Sequence, residues 1–199
     1  ANALAIAGMD VDYIGALGDP EPDPVFADFA TRARLYSLCG AGLTDALEFD
    51  DGKLMLGKHT TLAEVNWKTL CEKVGLEKFI SMCEAADLIA MNNWTMLPLL
   101  GEIWAHVASD VLPKLSQRQR LVFIDLADPE KRTAQDIKRD LGTLTCMQNH
   151  AKVMLGLNLK EAAQVATVLG ICPPGDNNDE IVKAAKGIRE ALNISTVVI

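Results

Sequence analysis

No stretch of ~18 apolar residues occurs in the 199-residue chain, and no basic start leads into a short apolar segment. Neither a membrane-spanning helix nor a signal peptide is therefore predicted. Glycine-rich phosphate loops are missing too: GxxxxGKS/T and GxGxxG are both absent, which excludes a P-loop kinase and the usual dinucleotide-binding fold. Basic charge is scarce. Nineteen Lys and Arg stand against 27 Asp and Glu, a formal net charge of −8, and no Lys/Arg-rich block offsets it locally, so nucleic acid is not an expected partner. The three histidines, His59, His106 and His150, are too dispersed for a zinc site. The five cysteines are odd in number and never form CxxC, the pattern of a reduced chain with buried free thiols. These absences together predict a soluble, cytoplasmic protein with a small-molecule or protein partner.

What is present is the composition of one ordinary globular domain, 49% hydrophobic and 23% charged. The stretch Leu121 to Arg132, LVFIDLADPEKR, organises the rest. Its apolar start suits a strand buried on both faces, as in a parallel sheet. It then breaks into charge at Asp125, Asp128, Glu130, Lys131 and Arg132, and in open α/β sheets ligands sit at that carboxyl edge.

In chain order, Ala1 to Ala7 reads as a helix and Val11 to Leu17 as a strand. Three prolines between Asp19 and Pro24 dictate a loop, and Asp23 caps a short helix carrying Val25, Phe26, Phe29 and Ala30 on one side. Leu35 to Cys39 is a strand, and Gly40-Ala41-Gly42 turns. Thr44 to Lys58 reads as a hairpin whose Asp51-Gly52 pair supplies positive φ, with Ala46, Phe49, Leu54 and Leu56 alternating with polar residues. Leu62, Val65, Leu70 and Val74 fit a helix, and a second runs from Glu77 to Ala86. Asp87 to Met91 is a buried strand ending in Asn92-Asn93-Trp94, and a helix from Pro98 to Val111 stops at Pro113. After the central strand come a helix (133 to 149), a strand (152 to 155), a helix with Leu159, Ala162, Ala163, Ala166 and Leu169 on one stripe, a helix (180 to 192) and a strand (196 to 199). Alternation of strand and helix predicts a parallel sheet with helices on both faces.

Three successive strands end in polar groups: Asn92 and Asn93, Asp125 and Asp128, Gly156 and Asn158. A parallel sheet would place them on one edge. Asn158 and Glu161 have the spacing of a capping box, in which a Gln at 161 would still cap. The same carboxylate, in the first turn of a helix at a sheet edge, could also act on Mg2+ through water, while the helix start attracts phosphate. Pro174-Gly175-Asp176 lies between two helices and reads as turn chemistry.

These pieces resemble the ribokinase (PfkB-type) family of sugar and nucleoside kinases over nearly the whole chain. Ala1-Asn2 resembles the end of the family's G-G-x-x-A-N motif and Val11 to Asp19 the strand and Gly-Asp turn after it. Thr44 to Lys58 resembles the lid, Asn158 with Glu161 the N-x-x-E motif, and Thr196 to Ile199 the strand before the nucleotide-binding part. The resemblance implies an α/β, ribokinase-like three-layer sandwich with a mainly parallel central sheet and a small β lid. It also implies that Asn2, Asn92 and Asp125 contact the sugar, Asn158 lies near the nucleotide phosphates, and Glu161 influences Mg2+. Asn92 stands where some members have Glu, which leaves the sugar open.

The reaction implied is transfer of the ATP γ-phosphoryl to a sugar or nucleoside hydroxyl, in which positioning and charge neutralisation dominate. The family's G-A-G-D motif, which carries the catalytic base, has no counterpart among these residues, so no catalytic residue is assigned. The start without Met and the apolar last strand lead to the expectation of one incomplete kinase domain over residues 1–199, lacking the nucleotide-binding C-terminal part. A homodimer through the lid is expected, because a two-stranded ribbon alone is marginal in water. The alternative is a non-catalytic sugar-binding or protein-interaction module; a flavodoxin-like domain is disfavoured by the hairpin.

Overall fold

A computed structural model describes all residues, 1–199, as two compact units, Ala1–Phe79 and Ile80–Ile199. In the first, α1 (Asn2–Ile6) precedes β1 (Asp12–Ala16), with Gly8 at φ +86° between them. Asp23 accepts the Val25 N–H at 2.9 Å and starts a 3-10 turn at Pro24–Phe26 that runs into α2 (Ala27–Ala30). Of the apolar residues expected along that helix only Phe29 is buried, and Val25 is 75% exposed, because the helix is a single turn with no stripe to present. Parallel strand β2 (Arg34–Cys39) pairs with β1 from Asp12–Arg34 to Ala16–Cys39, and Arg34 clamps the Asp12 carboxylate with bonds of 2.7 and 3.0 Å.

The hairpin forms as β3 (Leu43–Phe49) and β4 (Gly52–Lys58), in register from Leu43–Lys58 to Phe49–Gly52. Its turn is Asp50-Asp51, and Gly52 is already a paired strand residue without positive φ. The expected Asp-Gly turn is therefore shifted by one residue. Pairing also corrects the faces: Leu43, Leu47, Phe49, Leu54 and Leu56 share one side, while Ala46 lies opposite with Met55. Every residue of both strands is exposed.

The helix expected after Thr61 is split into a 3-10 segment (Thr60–Glu64) and α3 (Trp67–Lys73). Asn66 interrupts it by accepting the Thr69 N–H as an N-cap. Its apolar positions Leu62, Val65, Leu70 and Val74 are buried all the same. Helix α4 (Leu76–Ala85) follows.

The second unit is built on a parallel sheet in sequential order, β5 (Leu88–Met91), β6 (Leu121–Asp125), β7 (Lys152–Gly156) and β8 (Thr196–Val198). Between β5 and β6 runs α5 (Leu100–His106), which widens into a π turn at Val107–Val111 and ends in a 3-10 turn around Pro113. Between β6 and β7 lies α6 (Ala134–Gln148), capped by Thr133; between β7 and β8 lie α7 (Leu159–Val168) and α8 (Asn178–Leu192), capped by Asn158 and Asn177.

Val122, Ile124, Val153 and Leu155 are fully buried on one face of β6 and β7, each stabilising by about 1.5–3 kcal/mol. On the other face Leu121 is 40% exposed and Phe123 half-buried, so β6 is sealed on one side and only partly on the other. Strand β5, expected to be buried, buries only Met91 because it is the edge of the sheet. The buried stripe of α7 is Glu161, Ala162, Val165 and Ala166, while Leu159 is exposed. Free Cys39 and Cys83 are buried, and burial pushes the Cys83 thiol up to about 12. Cys146 and Cys172 are exposed, against the expectation of buried thiols.

Gln148, the last residue of α6, locks the sheet from one end. Its Oε1 accepts the Val153 and Ser195 N–H groups at 3.0 and 2.9 Å, tying the starts of β7 and β8 to one side chain.

Candidate active site at the carboxyl edge of the sheet

Strand register brings the polar residues together. Met91 pairs with Ile124, so Asn92 is the next residue along, beside Asp125; Asp125 in turn pairs with Gly156, two residues before Asn158. With neighbouring strands ~4.8 Å apart, Asn92, Asp125 and the Gly156–Asn158 turn share one edge. Asn2 lies in the other unit, exposed at the first position of α1.

Asn92 is exposed and makes no hydrogen bond within the chain, leaving both its donor and its acceptor for a ligand. The Asp125 carboxylate accepts the Asn93 N–H at 3.4 Å. Burial pushes its pKa up, the Glu161 charge adds to the rise, and the Asn93 N–H offsets part of it. Gly156, on the same face, has no room for a side chain: a Cβ there would come within 2.8 Å of the Phe123 ring.

Glu161 is 4% exposed and completes the predicted capping box. It also does more. Oε2 accepts the Asn158 N–H at 2.9 Å, and Oε1 accepts the Asp128 N–H at 2.8 Å across to the loop after β6. One carboxylate thus joins two strand ends. Each oxygen already holds one N–H, which disfavours chelation of a metal ion by both oxygens, and no cluster of three or more His, Cys, Asp or Glu residues that could hold a metal is present. The Asn158 side chain caps with its oxygen, accepting the Glu161 N–H at 3.0 Å, and its exposed amide NH2 is free to donate to a phosphate oxygen.

The loop after β6 carries a feature that composition conceals. Ala127 and Asp128 are consecutive left-handed residues, φ +58° and +66°, a conformation that costs on the order of 1 kcal/mol for a residue with a side chain. The Glu161 bond to the Asp128 N–H holds the loop in this shape. Lys160 adds ion pairs to Asp128 at 3.4 Å and Glu130 at 2.7 Å. Burial would push the Asp128 carboxyl up, but Lys160 and Lys131 outweigh it and hold the carboxyl below its usual range. Chemically, the edge offers an amide and a carboxylate for ligand hydroxyls beside an amide donor at a helix start.

Comparisons with known proteins bear on the family and the fold. The family model of the prokaryotic ketohexokinases matches residues 1–199. A ketohexokinase of Haloferax volcanii is 28% identical over 171 residues, which is 86% of this chain and 45% of that protein. The chain thus spans about half the length of that relative. The crystal structure of a PfkB protein from Polaromonas sp. JS666 superposes with a TM-score of 0.62 at 13% identity, over 98% of this chain and 61% of that one. That likeness shows the fold, an α/β ribokinase-like architecture. The match along its whole length places the chain in the prokaryotic ketohexokinase family, among the PfkB-type carbohydrate kinases.

Proposed function

We propose that the protein takes part in ATP-dependent phosphorylation of a sugar hydroxyl, with a ketohexose as the first substrate to test. Family membership supports the sugar, and the observation that carries the reading is the placing of a free Asn92 amide one residue past the Met91–Ile124 pair, beside the Asp125 carboxylate at one sheet edge. An amide and a carboxylate side by side supply the mixed donors and acceptors that a polyol needs. MgATP would supply the phosphoryl group and neutralise charge on its oxygens. On this chain's side, the Asn158 amide would donate to a phosphate oxygen, and Glu161 would orient water around the metal while fixing both loops. Gly-Ala-Gly-Asp is absent from the 199 residues, so no proton acceptor is assigned among them.

The apolar hairpin face suits a surface that meets a second copy, because a two-stranded ribbon with five exposed apolar side chains on one face gains stability when that face is covered.

A thermal-shift screen of ketohexoses, aldohexoses and nucleosides, with and without MgATP, tests the substrate class on the full-length protein. A bound ligand raises stability by mass action, about 2.7 kcal/mol at a hundredfold excess over Kd. A ketohexose is expected to raise Tm and to drive ADP release. No shift with any sugar would sink the proposal, and a nucleoside-only shift would move the substrate class.

A further inference from the structure

The loops after β5 and β6 meet in a buried cluster that makes no direct contact with a ligand at the sheet edge. Trp94 comes from the first loop and is 1% exposed; Arg132 comes from the second; Asp140 projects from the middle of α6 and is 3% exposed. Asp140 Oδ2 accepts the Trp94 Nε1–H at 2.9 Å, and its two oxygens take the Arg139 guanidinium at 2.7 and 3.1 Å. The Arg132 guanidinium lies 4.4 Å over the Trp94 ring and 4.0 Å from Asp140 Oδ2, and donates to the Pro98 carbonyl at 3.2 Å. Trp94 also stacks on Trp104 of α5 at 6.1 Å. Gly101 makes the room: a Cβ at that position would overlap the Asp140 carboxylate.

For stability alone this is a poor choice. Apolar residues of similar volume often serve as well as a buried ion pair, because removing charges from water offsets their attraction. What the cluster provides is a fixed indole. Three backbone bonds run from the same loop to the end of β6: Asn93 N–H to Asp125 Oδ2 at 3.4 Å, Trp94 N–H to Asp125 O at 3.5 Å, and Thr95 N–H to Leu126 O at 2.9 Å. Anchoring Trp94 therefore sets the backbone on which Asn92 stands and the donor that holds the Asp125 carboxylate. Asn93 sits at φ +66°, a left-handed conformation that asparagine adopts more readily than most residues.

We propose that Asp140, acting through Trp94 and Arg132, is a positioning residue that sets the geometry of the Asn92–Asp125 pair and thereby the affinity for sugar. The assignment of sugar to that pair rests on the functional reading above. Trp94→Phe keeps an aromatic ring, smaller than the indole, for Arg132 and Trp104 but removes the N–H; Asp140→Asn keeps the shape and removes the charge. Two measurements on the full-length variants decide the matter: amide hydrogen exchange across residues 92–95, with β7 as the internal control, and separate KM values for sugar and MgATP. Trp94→Phe is expected to speed exchange in the loop by about tenfold without affecting β7. Its sugar KM is expected to rise at least about tenfold with the MgATP KM unchanged. Exchange at the wild-type rate, or faster exchange with an unaltered sugar KM, overturns the proposal. A wild-type protein with no sugar-dependent activity overturns the kinase reading instead, and the exchange comparison still decides whether Asp140 and Trp94 hold the loop.

Discussion

Asp125 shows how a single residue links stability to function. Burial first, then the Glu161 charge, raise its pKa above the ordinary 3.8. Such a group contributes its stability fully below the unfolded pKa and loses it as pH rises through the folded pKa. At neutral pH the ionised carboxylate therefore destabilises the fold. Asp125→Asn retains an oxygen for the Asn93 N–H, so its Tm is expected to exceed wild type at pH 7, the gap narrowing towards pH 4, while sugar affinity falls; a lower Tm at pH 7 would refute this. Glu161 leads to the opposite expectation from the one its spacing gave. Because both oxygens accept backbone N–H groups, Glu161→Gln leaves either Asp128 or Asn158 facing an NH2. The loss is expected to be about 1–3 kcal/mol in denaturant unfolding, where a simple cap would lose little. The capping box was legible because it is local, three residues apart. The Asp128 bond, 33 residues away, was not. Asp140 left one sequence trace: it falls three after Ile137 and four before Leu144, a charge on the buried stripe of α6.

At the scale of elements, periodicity located nearly every strand and helix but misjudged what surrounds them. The split at Asn66 and the one-position rotation of the α7 stripe both came from side chains that bond to backbone, Asn66 to Thr69 and Glu161 to Asp128. Burial of β5 and β6 was overestimated because an apolar run does not reveal whether its strand is an edge or has one face half-open. The hairpin is the sharpest case. Gly52 lacks positive φ and has open space where a Cβ would stand. Gly52→Ala is thus expected to be tolerated or to stabilise by ~0.4–1 kcal/mol, whereas a positive-φ turn glycine would destabilise on the same change; chemical denaturation separates the two. Leu54, paired with Leu47 on the apolar face, reports on what covers that face. Leu54→Lys is expected to convert a dimer into a monomer in sedimentation velocity, with a lower Tm because the apolar face is uncovered. A wild-type monomer under the same conditions would remove the lid-dimer proposal.

At the scale of the whole molecule, alternation of strand and helix made the parallel sheet of the second unit legible, and sequential order β5-β6-β7-β8 follows from short crossovers between neighbours. The order explains why the polar strand ends converge: a parallel sheet sends every carboxyl end to the same edge, so Asn92, Asp125 and Asn158 needed only adjacent strands to become neighbours. The division into two units was not legible, since no proline- or glycine-rich linker marks Phe79 to Ile80, a boundary inside α4. What the assembled edge contains sets the last prediction. Residues that can hold hydroxyls are present, but the Gly-Ala-Gly-Asp that would take a proton from the substrate is not among the 199 residues. Binding and turnover are thereby separable. The 199-residue polypeptide is expected to give a sugar-dependent rise in Tm that Asn92→Ala abolishes, whether or not ADP is released. Steady ADP release from that polypeptide would mean that one of its own groups accepts the proton, and Asp125, with its raised pKa, would be the first to test.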